Sequence, residues 1–257
     1  MTAVAPGTRA GFFTDSSICI GCKACEVACK EWNQLPTEGL DFLGMSYDNT
    51  GELGSDSWRH VAFIEQNRNG DVRWLMNSDV CKHCTRAPCL DVCPTGALFR
   101  TEFGTVVVQE DICNGCGYCV SACPFGVIER RPRDGRAFKC TMCYDRLKGG
   151  LEPACATACP TQSIQFGPLE EMRQRAQDRL GQLQSEGRED ARLYLADSAD
   201  GMEGAGSIFL LLDAPHVYGL PDDPQATTHD LGEMWKAAAA AAGLIAVAVL
   251  GALWGRR

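Results

Sequence analysis

The residues of this 257-residue chain whose type and spacing could do chemistry are its sixteen cysteines. The clearest run is Cys113, Cys116, Cys119 and Cys123, separated by two, two and three residues and followed by Pro124. So short a loop lets three soft thiolates converge on one face, while small residues bring backbone N–H groups toward the same point. Four such thiolates suit an iron-sulfur cluster, which stores and passes one electron.

The remaining cysteines form three more groups of four, and we number the groups in chain order. Group 1 is Cys19, Cys22, Cys25 and Cys29; group 2 is Cys81, Cys84, Cys89 and Cys93; group 3 is the run above; group 4 is Cys140, Cys143, Cys155 and Cys159. Proline follows the last cysteine in groups 2, 3 and 4 but not in group 1. The three Cys-Pro tails form an internal repeat, which is typical of one folding unit used several times.

Zinc and disulfides are the alternatives for clustered cysteines. Structural zinc needs two Cys-x-x-Cys pairs brought together from a distance, whereas groups 1 and 3 each add a third cysteine after a gap of two residues. Disulfide frameworks belong mainly to short chains that cannot build a core. The spacing therefore favours iron-sulfur clusters over both.

The charge balance argues against nucleic acid as a partner. The formal net charge is -9 and the pI is about 5.0, which fits a soluble body that docks on proteins. Residues 1–10, a small and polar tail, contain no charged region leading into an apolar one, so we expect no signal peptide.

Three stretches between the groups have clear patterns. The insertion 33–75 alternates as a strand over 58–65 and as a return strand over 72–76, which predicts a hairpin with no catalytic role. Val106–Val108 predicts a short buried strand. Residues 168–186 have apolar side chains at helical spacing and predict an amphipathic helix.

The sequence after this helix predicts a smaller extension. Residues 192–195 and 208–212 are predicted strands around a glycine-rich turn, and 215–224 is a predicted extended connector. We therefore divide the protein into a tail (1–10), a double cluster-binding domain (11–167), a helix-hairpin and connector (168–230), and a terminal segment (231–257).

The terminal segment predicts a membrane anchor over 236–254. Residues 237–253 carry no charge, and the nineteen steps from Trp235 to Trp254 approach the roughly 30 Å thickness of the hydrocarbon layer at about 1.5 Å per residue. The two tryptophans would lie in the two interfaces. An alanine-rich soluble helix is the alternative.

Positive residues beyond this span predict its orientation. Arg256 and Arg257 would lie in the cytoplasm, which puts the body on the opposite, periplasmic side. The small residues Gly243 and Gly251 would allow close packing against partner helices.

The assignment of cysteines to clusters is a separate question. In two-cluster ferredoxins the fourth cysteine of each motif ligates the other cluster, so four groups could pair sequentially or in a nested way. Only nineteen residues separate Cys93 from Cys113, which favours a compact unit of groups 2 and 3 with groups 1 and 4 paired around it. This nested pairing predicts site 1 (Cys19, Cys22, Cys25, Cys159), site 2 (Cys81, Cys84, Cys89, Cys123), site 3 (Cys113, Cys116, Cys119, Cys93) and site 4 (Cys140, Cys143, Cys155, Cys29).

Other polar residues near the groups have open roles. His83 could be a ligand, but its group already has four cysteines, so we expect it to pack beside the ligands. Lys23, Lys82 and Lys139 either tune the cluster potentials or are solvated, and the arginine-rich stretch 130–136 is a docking or solvated loop. The sequence contains no phosphate-binding loop and no triad, so we expect no catalytic residue.

These features together carry a family resemblance. The four cysteine groups, the phrase 19–33 with its Lys-Glu-Trp-Asn end, the segment 218–224 and the terminal helix resemble the iron-sulfur beta subunit of membrane-bound respiratory formate dehydrogenases. The resemblance covers nearly the whole sequence. The cysteine motifs are shared with a wider family of four-cluster electron-transfer subunits of molybdopterin oxidoreductases, such as nitrate, dimethyl sulfoxide and polysulfide reductases, and with certain hydrogenases.

The resemblance implies an α+β fold of two interleaved ferredoxin-like dicluster units, a C-terminal extension and one C-terminal transmembrane helix. It implies four 4Fe-4S clusters, paired in the nested way. The implied partners are a catalytic alpha subunit with a molybdenum or tungsten bis-pterin cofactor and a membrane cytochrome b-type gamma subunit that reduces quinone. Export would occur after folding, with the signal on the catalytic partner.

Three other functions remain open from the sequence. The same subunit could serve a polysulfide reductase or a hydrogenase, which the co-purifying catalytic subunit would reveal. A free-standing polyferredoxin would form no stable complex, and a zinc-dependent structural module would be colourless.

Overall fold

A computed structural model describes residues 4–37, 44, 47–68, 70–197 and 199–254. Its strands are β1 (Ala10–Asp15), β2 (Arg59–Arg68), β3 (Asp71–Val80), β4 (Leu98–Arg100), β5 (Val106–Val108), β6 (Glu129–Arg130), β7 (Ala137–Phe138), β8 (Ile164–Pro168), β9 (Arg192–Tyr194) and β10 (Ser207–Leu211). Its helices are α1 (Ala24–Trp32), α2 (Pro88–Asp91), α3 (Tyr118–Ala122), α4 (Tyr144–Lys148), α5 (Ala154–Thr157), α6 (Leu169–Ser185) and α7 (Leu231–Trp254). Short 3-10 helices span Ser16–Ile18 and Pro215–Tyr218.

The largest sheet has the strand order β8-β1-β10-β9. Strand β1 pairs in parallel with β10 and antiparallel with β8, and both β1 and β10 are buried throughout. Helix α6 covers this sheet, and Gly11 lies at a close contact with it: a Cβ there would lie 2.6 Å from Leu169 Cδ1 and 3.3 Å from Leu169 Cα. The sheet thus joins strands from the predicted segments 11–167 and 168–230.

The hairpin of β2 and β3 is longer than the alternation pattern predicts. Its register runs from Arg59 opposite Val80 to Arg68 opposite Asp71, so β3 ends directly before group 2. The extra residues Asn77 and Ser78 are polar but only 1% exposed each, which is why the sequence pattern does not reveal them.

Short helices carry the cysteine groups. Helix α1 contains the last two cysteines of group 1, while α2, α3 and α5 each contain the third cysteine of their group. Helix α1 packs against α5, and α2 packs against α3. These two contacts bring group 1 next to group 4 and group 2 next to group 3.

The protein forms two compact units, Met1–Ala226 and Thr227–Arg257. In the second unit the structure describes helix α7, whose mean hydropathy is 2.2. Among the helices of the described ranges, α7 alone is long and apolar enough to cross a membrane. Arg256 and Arg257, on which the orientation prediction depends, lie outside the described residues. The mixed helix and strand content agrees with the expected α+β class.

Candidate metal centres

The cysteines of site 1 line one cavity. Its wall contains Cys19, Cys22, Cys25 and Cys159, three from group 1 and one from group 4. Val61 and Ser78 of the β2–β3 hairpin complete the wall, so the predicted insertion contributes directly to this site. The hydroxyl oxygen of Ser78 lies 3.3 Å from Cys25 Sγ.

The cysteines of site 2 line a similar cavity. Its wall contains Cys81, Cys84, Cys89 and Cys123, three from group 2 and one from group 3. Burial raises the pKa of the Cys84 thiol well above its usual value, and the thiols of Cys81, Cys89 and Cys123 add to the effect. All four thiols of site 2 thus face the same cavity.

Within site 3, and likewise within site 4, the four cysteines are within electrostatic reach of one another. Burial raises the pKa of Cys119 to about 11, with contributions from Cys113, Cys116 and Cys93. Burial also raises the pKa of Cys29 well above its usual value, and here the contributing thiols are Cys140, Cys155 and Cys143. Metal ligation requires deprotonated thiols, so loading either site would release protons.

A repeated backbone conformation shapes the four loops. In every group the residue immediately before the second cysteine has a positive φ: Gly21 (64°), His83 (47°), Gly115 (74°) and Met142 (57°). Two of these residues are not glycine, and such strained positions persist only where the surroundings hold them. The repetition turns the loops in the same direction.

The Cys-Pro tails direct backbone N–H groups at the fourth cysteine of their group. Burial opposes ionisation of Cys93, but N–H groups of Leu98, Thr95 and Ala97 outweigh it and lower the pKa of that thiol. Gly96, with φ of 68°, turns the backbone to allow these contacts. Corresponding N–H donors come from Phe125 and Val127 to Cys123 and from Ile164 to Cys159, the last at 3.5 Å.

Basic side chains near the cysteines are less exposed than a solvated role would require. Lys82 and Lys139 are each 1% exposed, so the solvated interpretation is wrong for both. Lys82 forms an ion pair with Asp79, whereas Lys139 donates to the carbonyl oxygens of Val106 and Cys140. Lys23 also forms an ion pair, with its Nζ 2.7 Å from Asp48 Oδ1.

The loop 130–136 contains another buried basic side chain with an acidic partner. Arg131 is 7% exposed, lies over the ring of Phe138 and pairs with Asp56 at 2.8 Å, so this part of the predicted loop is structural.

His83 lies in the cavity wall of site 2 as a neutral side chain. Burial lowers its pKa well below the usual value, and nearby cations, Lys139 first among them, add to the effect. Its Nδ1 accepts a hydrogen bond from Val106 N at 3.1 Å, which places the proton on Nε2. That Nε2 is buried and has no partner within the described ranges.

The geometry fits a multi-atom cluster better than a single ion. In a structural zinc site the sulfurs lie about 2.3 Å from one ion. Among the described residues, no three His, Cys, Asp or Glu side chains converge closely enough to hold one metal ion. The cysteines of sites 1 and 2 instead each line one cavity from several sides, and at site 2 the buried His83 Nε2 in the cavity wall has no partner among the described residues.

Sequence reasoning missed two residues at these sites, Arg59 and Ser78. Arg59 is 2% exposed and donates from Nη1 to Ser78 Oγ at 2.9 Å. The available signal was its place in the alternation of β2, where Arg59 falls on the same face as the buried Val61.

Comparison with known proteins identifies the cofactor class. Two family models described as 4Fe-4S dicluster domains match residues 18–97 and 72–169. Together they span the four cysteine groups and support 4Fe-4S clusters as the cofactor.

Relatives are similar over most of the sequence. The iron-sulfur subunit of the nitrate-inducible formate dehydrogenase of Escherichia coli is 42% identical over 239 residues, 90% of this protein and 79% of the relative. The formate dehydrogenase iron-sulfur subunit of Haemophilus influenzae is 42% identical over 228 residues, 86% of this protein and 71% of the relative. One polypeptide of the anaerobic dimethyl sulfoxide reductase of Escherichia coli is 40% identical over 171 residues, 66% of this protein and 79% of the relative. With its cysteine sets and dicluster domains, the protein belongs to the family of iron-sulfur electron-transfer subunits of formate dehydrogenases and related molybdopterin reductases.

Proposed function

We propose that this protein is an electron relay with four 4Fe-4S clusters, one in each of sites 1 to 4. The observation that carries the proposal is the grouping of sixteen thiols into four neighbouring sets, each with three cysteines of one group and the fourth of its partner group. The clusters would supply one-electron storage. The protein supplies the thiolates, the N–H donors to sulfur and burial from water, all of which set the potentials.

The order of the relay is site 1, site 4, site 2, site 3. Support comes from thiols of different sites that affect one another, because electrostatic effects fall with distance. Burial raises the pKa of Cys25, Arg59 and Ser78 oppose it, and Cys155 of site 4 adds to the rise. Cys81 of site 2 acts in the same way on Cys140, and Cys119 of site 3 on Cys89.

Electrons enter and leave at sites 1 and 3. Of the sixteen cysteines, all of which are described, Cys22 and Cys116 alone are exposed, and they belong to the two ends of this order. Apolar side chains are exposed beside each end: Ile20 and Val27 next to Cys22, and Ile112 and Tyr118 next to Cys116. Such surfaces suit protein partners, because interface cores are depleted in charge.

The two partners are a catalytic subunit and a membrane subunit. The relatives are iron-sulfur subunits of formate dehydrogenases, which supports a catalytic partner that oxidises formate. As the family resemblance of the sequence implies, that partner would carry a molybdenum or tungsten bis-pterin cofactor, and the second would be a cytochrome b-type subunit that passes electrons to quinone. Helix α7 anchors the protein, with the body on the periplasmic side and the C-terminus in the cytoplasm. The dimethyl sulfoxide reductase relatives support a second candidate, in which the same relay runs toward a reductase.

The test is anaerobic purification from the native membrane through a tag on this protein, followed by formate addition and EPR. A large polypeptide containing molybdenum or tungsten should co-purify, and formate should reduce the iron-sulfur signals. Reoxidation by dimethyl sulfoxide without any reduction by formate would support the reductase instead. A protein isolated alone, with clusters that neither compound affects in intact membranes, would contradict both and favour a polyferredoxin.

A further inference from the structure

Arg59 is a buried arginine at the start of β2. It is 2% exposed, and its guanidinium lies 5.1 Å from the centre of the Phe12 ring. Its Nη1 donates to the carbonyl oxygen of Ser78 at 3.3 Å and to the hydroxyl oxygen of Ser78 at 2.9 Å. These contacts fix the guanidinium beside the wall of site 1, to which Ser78 belongs.

This guanidinium has no carboxylate partner in the described part of the protein. Its Nε and Nη2 are buried and make no hydrogen bond to any described residue. Arginine stays protonated in proteins, and a buried charge is costly unless an opposite charge compensates it. The compensating charge must therefore come from another kind of group.

Cysteine thiolates of two sites are the available anions. Arginine has no acceptor atom, so Ser78 Oγ accepts from Arg59 and its own proton is free to point at Cys25 Sγ, 3.3 Å away. Burial lowers the pKa of Arg59, but Cys155 and Cys25, followed by Cys140 and Cys29, outweigh it and raise that pKa. These cysteines belong to site 1 and site 4 only.

We propose that Arg59 is the built-in counter-cation of the junction between sites 1 and 4 and that Ser78 extends its effect to Cys25 by a hydrogen bond. The inference rests on the proposed function, because it needs clusters in both sites. Positive charge and hydrogen-bond donors stabilise the more negative, reduced cluster, so Arg59 raises the reduction potentials of sites 1 and 4. Arg59 acts on the reduction potentials through its charge and binds no substrate.

Arg131 provides a matched control. It is also a buried arginine stacked on an aromatic ring, but Asp56 neutralises it at 2.8 Å. Removing this neutralised cation should leave sites 1 and 4 unaffected.

The experiment is an EPR redox titration of the complex purified with the full-length protein, with signals assigned through single cysteine variants of each site. In Arg59→Met, we expect the ratio of reduced to oxidised cluster at sites 1 and 4 to fall at least tenfold at a fixed potential, about 59 mV for a one-electron couple. Arg59→Lys keeps the charge and should retain most of the potential. Arg131→Met should match the wild type at both sites.

Ser78→Ala is the second test, and it should lower the potential of site 1 alone. Unchanged potentials in a fully loaded Arg59→Met protein would overturn the inference. If Arg59→Met does not assemble, an unchanged site 1 potential in Ser78→Ala would overturn it instead. Wild-type protein without iron and acid-labile sulfide would contradict the proposed function itself, a failure distinct from either.

Discussion

Lys139 has surroundings like those of Arg59, at the junction between sites 4 and 2. It is 1% exposed and has no carboxylate partner within the described ranges; its Nζ donates to the carbonyl oxygens of Val106 and, at 3.0 Å, of Cys140. Burial lowers its pKa, but Cys81, Cys89 and Cys140 outweigh burial and raise it. A cation so placed is within electrostatic reach of the thiols of sites 2 and 4.

Replacing Lys139 by Met should therefore lower the reduction potentials of sites 2 and 4 and spare site 3. We expect a tenfold or larger fall in the reduced fraction at a fixed potential, measured by EPR redox titration. The control is Lys148→Met, since Lys148 is exposed and lies over the ring of Tyr144. Equal shifts in the two variants would show that position is irrelevant.

Gly115 is the group 3 residue whose conformation and surroundings both exclude a side chain. Its φ is 74°, and a Cβ there would lie 2.6 Å from Gly135 O. Gly126 also has a positive φ, 63°, but a Cβ there would meet nothing within 4 Å. The two positions separate backbone strain from steric overlap.

Gly115→Ala should lower the unfolding temperature more than Gly126→Ala and should weaken the site 3 EPR signal. Both changes carry the left-handed backbone cost of roughly 1–2 kcal/mol, but only the first also displaces the backbone at Gly135. Anaerobic thermal unfolding and EPR of both variants check this. Equal losses would mean that overlap with Gly135 contributes nothing.

The four cysteine groups could be recognised in the sequence because each is a local run of four cysteines, whereas the pairing of groups joins distant segments. The basic side chains could not be ranked in this way, since their burial depends on contacts between distant segments. Ser78 and Cys25 meet only because the β2–β3 hairpin lies against the loop of group 1. The one local sign that Arg59 is buried is its position two residues before the buried Val61, on the same face of β2.

At the scale of elements, helix α1 supplies cysteines to two different sites. Cys25 and Cys29 are four residues apart and hence lie one turn apart on the same face. Because α1 packs against α5, Cys25 lines the site 1 cavity while Cys29 lies among the site 4 thiols. Consecutive turns of this one helix thus carry cysteines of two different sites.

Cys29→Ala should disturb the cluster of site 4 and leave that of site 1, and Cys25→Ala should do the reverse. The measurement is EPR of each reduced variant together with its iron content. Loss of the site 1 signal in Cys29→Ala, with site 4 intact, would contradict the nested pairing and favour sequential pairing of the groups.

The longer elements were predictable where the pattern is regular. The expected strand at Val106–Val108 and the helix expected over 168–186 are confirmed, the helix as Leu169–Ser185. The sheet order β8-β1-β10-β9 was not predictable, because β1 lies next to a strand almost two hundred residues later in the sequence. Such pairings depend on burial of both strands and leave no local mark in the sequence.

At the scale of the whole molecule, the cluster-binding unit and the terminal helix are separate units. We expect deletion of 231–257 to leave iron content unchanged and to move the protein, produced without partners, from the membrane to the soluble fraction. The full-length protein handled identically is the control. Finding both proteins in the soluble fraction would contradict an anchor, and a loss of iron on deletion would contradict independent units.

A relay of four clusters on one polypeptide is tested most directly by counting iron and acid-labile sulfide in an anaerobic preparation of the full-length protein. Four 4Fe-4S clusters predict about sixteen irons and about sixteen sulfides per polypeptide. A count of about eight or fewer of each would contradict four loaded sites.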